Sequence, residues 1–169
     1  MTKLLKDVAV VIPVFNEEEL IGECIDEWLK VLNSMNLHYE ILIIDDGSSD
    51  ATTSIVERYG DTQNIQTIIK PNEGHGPTIV AGYKRAVDIA EWVFQADSDN
   101  EITPNQFSAL WTKRYGKDAV IGWRQDRNQT TVRRLVTYVA RVATKVLFRS
   151  HLRDVNIPFR LIRSEILTI

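Results

Sequence analysis

Two aspartates separated by one residue, Asp97-Ser98-Asp99, follow directly on the apolar run Trp92-Val93-Phe94-Gln95-Ala96. In an extended segment residues two apart point the same way, so Asp97 and Asp99 converge on one volume while Ser98 faces away. Carboxylates that close repel, and one is pushed up in pKa unless a cation or a wide solvent boundary accompanies them. Hard oxygen ligands of this kind suit Mg²⁺ or Mn²⁺. The same residues also admit a plainer reading, a polar loop ahead of a helix with Thr103 as its N-cap and Pro104 in its first turn. A DxD triplet alone does not choose between the two.

The elements that must hold these residues are legible as alternating strands and helices. Residues 8–14 form a continuous apolar run rich in β-branched side chains, the pattern of a strand buried on both faces of a parallel sheet. Apolar positions then repeat at three and four across 18–35, behind Glu17, Glu18 and Glu19, whose charges suit a helix N-terminus. A second strand over 39–44 ends at Asp45-Asp46-Gly47-Ser48-Ser49-Asp50, a turn and helix start in which Gly47 is free to take positive φ. A third strand over 65–69 leads through Pro71-Asn72-Glu73-Gly74-His75-Gly76 into a helix over 77–90, and a fourth strand over 92–96 leads to the carboxylates. This order predicts an α/β fold with a mostly parallel, Rossmann-like sheet flanked by helices. Ligands bind at the carboxyl ends of such strands, which collects 13–17, Asp45-Asp46, the Gly74 loop and Asp97-Ser98-Asp99 on one edge.

At 169 residues and 44% hydrophobic content the chain suits one domain spanning 1–169. Its last residues, Glu165-Ile166-Leu167-Thr168-Ile169, are apolar, which suggests a chain cut inside a helix of a longer protein. One cysteine excludes an internal disulfide framework and a cysteine-rich zinc site. Cys24 sits among Leu20, Ile21, Ile25, Trp28, Leu29 and Leu32 at helical spacing, as a buried inert thiol would. No stretch reaches the roughly 18 to 20 apolar residues that span a bilayer, and no signal peptide is recognisable, which points to a cytoplasmic protein. The net charge of −3 conceals an asymmetry: residues 1–110 carry 7 Lys and Arg against 19 Asp and Glu, a balance of −12, and 111–169 carry 13 against 4, a balance of +9. In the basic half, Val132, Leu135, Val136, Val139, Val142, Val146 and Leu147 alternate with Arg133, Arg134, Arg141 and Lys145. That pattern over 131–148 is a basic amphipathic helix, suited to a membrane surface with anionic lipid or to core packing with a solvated basic face. Nucleic acid is a poor partner for a chain whose first half is this acidic.

Taken together, Val11-Ile12-Pro13-Val14-Phe15-Asn16-Glu17, Ile43-Ile44-Asp45-Asp46-Gly47-Ser48-Ser49-Asp50, Asn72-Glu73-Gly74-His75-Gly76 and Asp97-Ser98-Asp99 resemble family 2 of the GT-A glycosyltransferases, over nearly the whole chain. Gly122-Trp123-Arg124, Arg133-Arg134 and the stretch from Asp154 to Arg160 resemble the branch that loads sugars onto polyprenyl phosphates, typified by dolichol-phosphate mannosyltransferase. The resemblance implies the GT-A fold and an inverting, metal-assisted direct displacement from a UDP- or GDP-linked sugar, with the protein peripheral at the inner face of a membrane. It implies that Pro13, Phe15, Glu17 and Gly74 line the nucleotide pocket and that Asp45 or Asp46 hydrogen-bonds the base or ribose. Asp97 and Asp99 would hold the metal, with Glu101 as a further oxygen ligand. Arg124 and Arg134 would clamp phosphates, and Arg133 and Arg160 would serve the acceptor. A polyprenyl phosphate oxygen is already ionised near neutral pH, so Asp154 is given an acceptor-positioning or structural role; a saccharide hydroxyl acceptor would instead require it as base.

The sequence departs from the branch at Ile157-Pro158-Phe159-Arg160, where Ser-Gly-Phe-Arg is common and Pro158 stiffens the loop. His75 stands where small or aliphatic residues are usual, and no role is assigned to it. Two other activities are disfavoured. A nucleotidyltransferase would need a Gly-rich, Arg-containing loop after the first strand, and a dinucleotide oxidoreductase needs GxGxxG after a strand, of which Gly74 and Gly76 are an incomplete echo after the third. A non-catalytic nucleotide-sugar-binding domain would keep the fold, but the intact Asp97, Asp99 and Glu101 argue against it.

Overall fold

Residues 8–14 are buried without exception in strand β1 (Lys6–Val14), as expected of a strand covered on both faces. The computed structural model describes residues 5–99, 102–122 and 158–167. Nearly all of them belong to one unit, 1–121 with 158–169. The expected basic helix over 131–148 lies outside the described residues, as do Glu101, Arg124, Arg133, Arg134 and Asp154.

After β1 come α1 (Ile21–Ser34), β2 (Tyr39–Asp45), α2 (Thr52–Glu57), β3 (Ile65–Ile69), α3 (His75–Val87), β4 (Ala90–Gln95), α4 (Phe107–Thr112), β5 (Ala119–Ile121) and β6 (Arg160–Arg163). One six-stranded sheet has the order β3-β2-β1-β4-β6-β5. The first four strands of that order are mutually parallel, and β6 runs antiparallel to both β4 and β5. Val14 pairs with Asp45 and Asp45 with Ile69, so β1, β2 and β3 stop in line.

Alternation sends the two sides of the strands into two cores. On one face Trp28 of α1, Phe94 of β4, Phe107 of α4 and Phe159 pack edge to face, with Phe94 4.6 Å from Phe159 and 4.8 Å from Phe107 between ring centroids. Such offset pairs add about 0.5–1.5 kcal/mol each beyond area burial. The other face packs Ala9, Val11, Leu42, Ile44 and Val93 against Tyr83 and Ala86 of α3. There α3 lies so close that a Cβ built on Gly82 would fall 2.3 Å from a Val11 methyl and 3.1 Å from Ile44 Cγ1.

Two helix starts differ from the expected positions. The first begins at Ile21 because the amides of Leu20 and Ile21 both donate to the Glu17 carbonyl, making a turn of 17–20. The third begins at His75 and takes Pro77 into its first turn, where a missing N–H costs no hydrogen bond. It ends by Val87 because the Lys6 amide claims the Ile89 carbonyl at 2.8 Å and Ala90 enters the sheet.

Candidate active site

The loops leaving β1 and β2 are stitched to each other side chain to backbone. The Asn16 amide donates to Ser48 Oγ at 3.0 Å, the Ser49 amide to Asn16 Oδ1 at 2.8 Å, and the Glu17 amide to Thr52 Oγ1 at 2.8 Å. Asn16 adopts φ +54, which its short polar side chain tolerates. This holds the 15–17 turn above the sheet edge, leaving Phe15 45% exposed. At that edge lies an open cleft of about 430 Å³, within the range of small-molecule sites. Pro13, Phe15, Glu17, Asp46, Gly74, Asp97 and Asp99 all line it.

The adjacent Asp45 and Asp46 are separated in role by one step of the backbone. Asp45 is fully buried; Ser48 donates to it from its amide at 3.0 Å and from its hydroxyl at 2.7 Å, and Thr53 Oγ1 donates to its other oxygen. It is the cap of the turn and does not line the cleft. Asp46 does, and it binds Lys70 as an ion pair while accepting the amides of Glu73 at 3.0 Å and Gly74 at 2.8 Å. Burial would raise the Asp46 carboxyl; the Lys70 ammonium, with the Glu73 amide, the Thr78 side chain and the Gly74 amide, outweighs it and holds the group well below the usual carboxylate range. Gly47 makes the close approach of the two loops possible: it has φ +73, and a Cβ there would lie 2.9 Å from the Asn72 amide nitrogen and 3.0 Å from the Lys70 carbonyl oxygen.

The opposite wall is acidic. Extended structure ends at Gln95 and the chain turns through Ser98 and Asp99. The strict alternation expected for 97–99 is therefore lost, and Ser98, expected to face away, is buried and lines the cleft together with Asp97 and Asp99. The reason is that the two-residue period belongs to strand geometry, which the chain has left. Glu17 faces the same volume. Its carboxyl is pushed up by burial first, then by the charges of Asp99 and Asp50. Three carboxylates thus share one negative region, the donor chemistry of a hard divalent cation. Among the described residues no group of three or more His, Cys, Asp or Glu side chains is arranged to enclose a metal by itself.

Arg160 opens β6 in register with Gln95, two residues before Asp97, so it stands at the same sheet edge. It is not among the residues lining the cleft. Its charge acts on the Tyr83 phenol, which burial raises and Arg160 lowers, and that phenol donates to Gln95 Oε1 at 2.6 Å. Sequence reasoning gave no role to His75 or Thr78, which also line the cleft from the first turn of α3. Thr78 was findable as the residue four beyond Gly74, to whose carbonyl its hydroxyl donates at 2.8 Å. Cys24 is fully buried and its thiol is pushed up to about 12, mainly by burial. No helix among the described residues is long and apolar enough to cross a membrane.

Comparison with known proteins converges on one family. The sequence profile "Glycosyl transferase family 2" matches residues 9–167. The chain is 31% identical over 147 residues to undecaprenyl-phosphate 4-deoxy-4-formamido-L-arabinose transferase of Shewanella sediminis (strain HAW-EB3), covering 85% of this chain and 43% of that protein. It therefore spans less than half the length of this relative. Among solved structures it is similar to glucosyl-3-phosphoglycerate synthase from Mycobacterium tuberculosis in complex with UDP, at a TM-score of 0.70 and 19% identity over 95% of this chain and 57% of that one. A mannosyltransferase from Pyrobaculum calidifontis in complex with GDP-Man and Mn²⁺ is similar at a TM-score of 0.58 and 21% identity, over 74% of this chain and 37% of that one. Both are likenesses of fold, and they bear out the expected GT-A architecture.

Proposed function

Because the chain belongs to glycosyl transferase family 2, we propose that it moves a sugar from a nucleoside diphosphate donor to a polyprenyl phosphate, inverting the anomeric carbon by direct displacement. The observation that carries this reading is a single cleft at the carboxyl ends of parallel strands, walled on one side by Asp46 and the Gly74 loop and on the other by Asp97 and Asp99. Similarity to the undecaprenyl-phosphate 4-deoxy-4-formamido-L-arabinose transferase of Shewanella supports the lipid phosphate acceptor.

In this reading Pro13, Phe15 and Glu17 receive the nucleoside, and Phe15 offers an exposed ring to a flat base. Asp46 shapes one wall of the pocket, while Asp45 acts one step behind it as the cap of the turn. Asp97 and Asp99, with Glu101, would hold Mg²⁺ or Mn²⁺, which when bound neutralises the negative charge developing on the departing diphosphate. The acceptor phosphate oxygen is ionised near neutral pH and needs no general base. Arg124 and Arg134 then serve as phosphate clamps, Arg133 and Arg160 as acceptor-side cations, and Asp154 as a positioning group. Arg133 and Arg134 also belong to the basic segment that would rest on an anionic membrane, so replacing both with Gln should weaken association with anionic liposomes.

Calorimetric titration with UDP, GDP and their common sugar conjugates, with and without Mn²⁺, tests the donor half. Metal-dependent binding of one nucleotide is expected, and no binding to any would overturn it. Incubation of a labelled donor with undecaprenyl phosphate tests the acceptor half, for which label in the lipid phase is the expected result.

A further inference from the structure

We infer that Lys70 is a positioning residue of the donor site: its ammonium holds Asp46 and the 71–74 segment in the place that forms one wall of the cleft. The inference rests on the reading of this cleft as the donor site. Lys70 follows β3 directly, its side chain is 13% exposed, and it does not line the cleft. It therefore acts through other groups. Its Nζ binds Asp46 Oδ1, the Pro71 carbonyl at 2.9 Å and Glu73 Oε2 at 2.9 Å, with Thr78 Oγ1 at 3.5 Å. One cation thus ties together the end of β2, the 71–74 segment and the first turn of α3.

Close packing reaches only the start of this segment, where Gly47 lies against Lys70, Pro71 and Asn72. The segment has no strand or helix of its own, Gly74 sits at φ +92, and a Cβ on Gly74 or Gly76 would meet nothing within 4 Å. What fixes its end are the Glu73 and Gly74 amides, one on each oxygen of Asp46, and both oxygens are full acceptors when Asp46 is ionised. Two carboxylates, Asp46 and Glu73, flank the single ammonium; without it they would repel across the wall they build.

The test compares Lys70→Met and Lys70→Arg with the wild type. Two readouts are used: UDP and GDP affinity with Mn²⁺, and hydrogen exchange at the Glu73 and Gly74 amides. In Lys70→Met the affinity should fall by about tenfold to a hundredfold, the range for loss of a group that orients others, with both amides losing protection and the dependence on Mn²⁺ retained. Lys70→Arg should restore most of both. The ratio of variant to wild-type affinity should worsen further from pH 7 to pH 5, because a buried Asp46 without its cation takes up a proton. Of the charged groups sharing its surroundings, Glu17, His75, Asp97 and Asp99 are the same in both proteins, whereas Glu73 also loses its partner in Lys70→Met, and Glu73→Gln introduced into both proteins removes its part from that ratio. A Lys70→Met protein with wild-type affinity and wild-type amide protection overturns the inference. Wild-type protein that binds no nucleotide overturns the donor reading instead, and the exchange data then decide the anchoring by Lys70 alone.

Discussion

At the ends of β2 and β3 the cleft is walled by an ion pair and the amides it fixes, whereas at the end of β4 it is walled by Asp97 and Asp99, the second of which adds to the burial that raises the Glu17 carboxyl. On the first wall Asp46 is buried, and an ammonium and two backbone amides hold it ionised. On the second, Asp99 is exposed, Asp97 is half-buried, and the field of Asp99 reaches Glu17. The difference teaches that the same residue type can fix a wall of the cleft or bring negative charge to it, and that its surroundings decide which. A preorganised wall suits a neutral base and ribose, which need shape and a few fixed hydrogen bonds. A wall of shared negative charge suits a cation.

Removing a carboxylate from the second wall should have the largest effect. Asp97→Asn or Asp99→Asn keeps the side-chain volume and removes the charge, so metal-dependent donor binding should fall on the order of a hundredfold or more without loss of the folded state. Calorimetry in Mn²⁺ reads the binding and circular dichroism the fold. Full binding by both variants would sink the metal assignment and, with it, the contrast between the walls.

The next effect belongs to the first wall. Gly47→Ala puts a Cβ at positive φ, 2.9 Å from a backbone nitrogen and 3.0 Å from a backbone oxygen, neither of which can rotate away. Strain of this kind costs roughly 1–3 kcal/mol, and at roughly 2–4 °C per kcal/mol for a chain of this size the Tm should fall by several degrees. Because Asn72 and Lys70 are the atoms displaced, nucleotide affinity should weaken while its dependence on Mn²⁺ is unchanged. A variant of normal stability and affinity would show that the close approach of the two loops is not what shapes the wall.

The sheet was readable because long apolar runs admit few alternatives: 8–14 and 39–44 are buried strands in the structure as in the pattern. The edge that carries the site followed from the rule for parallel strands. Within that edge the resolution of the sequence ended. Asp45 and Asp46 are identical in type and adjacent, and which of them meets the turn hydroxyls depends on backbone direction at the strand end, which no pattern of types encodes. Lys70 was invisible for a related reason: it lies 24 positions from Asp46, and only the parallel pairing of β2 with β3 brings them together. Ser98 was misplaced because the strand period was carried past Gln95, where the strand stops. The short antiparallel β6, with arginine at both ends, has too few apolar residues for periodicity to announce it.

The smallest effect measures the field of the second wall directly. Glu17 is pushed up from its ordinary value of 4.5 by burial, and further by Asp99 and Asp50. The folded protein therefore binds this proton more tightly than the unfolded chain does, and over the window from 4.5 up through the raised value stability falls as pH rises. Below that window the contribution is fully present. Asp99→Asn removes one of the two charges and leaves the burial, so the fall should become shallower without vanishing. Glu17 is only partly buried, and solvent screening limits the change to roughly a few tenths of a kcal/mol. Urea midpoints collected between pH 4 and 6 resolve it, and Mn²⁺ added to the wild type should flatten the same slope by supplying the counter-charge. Identical slopes in wild type and variant would mean that Glu17 and Asp99 do not act on one volume. The β4 wall would then have no electrostatic demand for a cation, and its aspartates would have to be explained as the polar loop that the sequence also allowed.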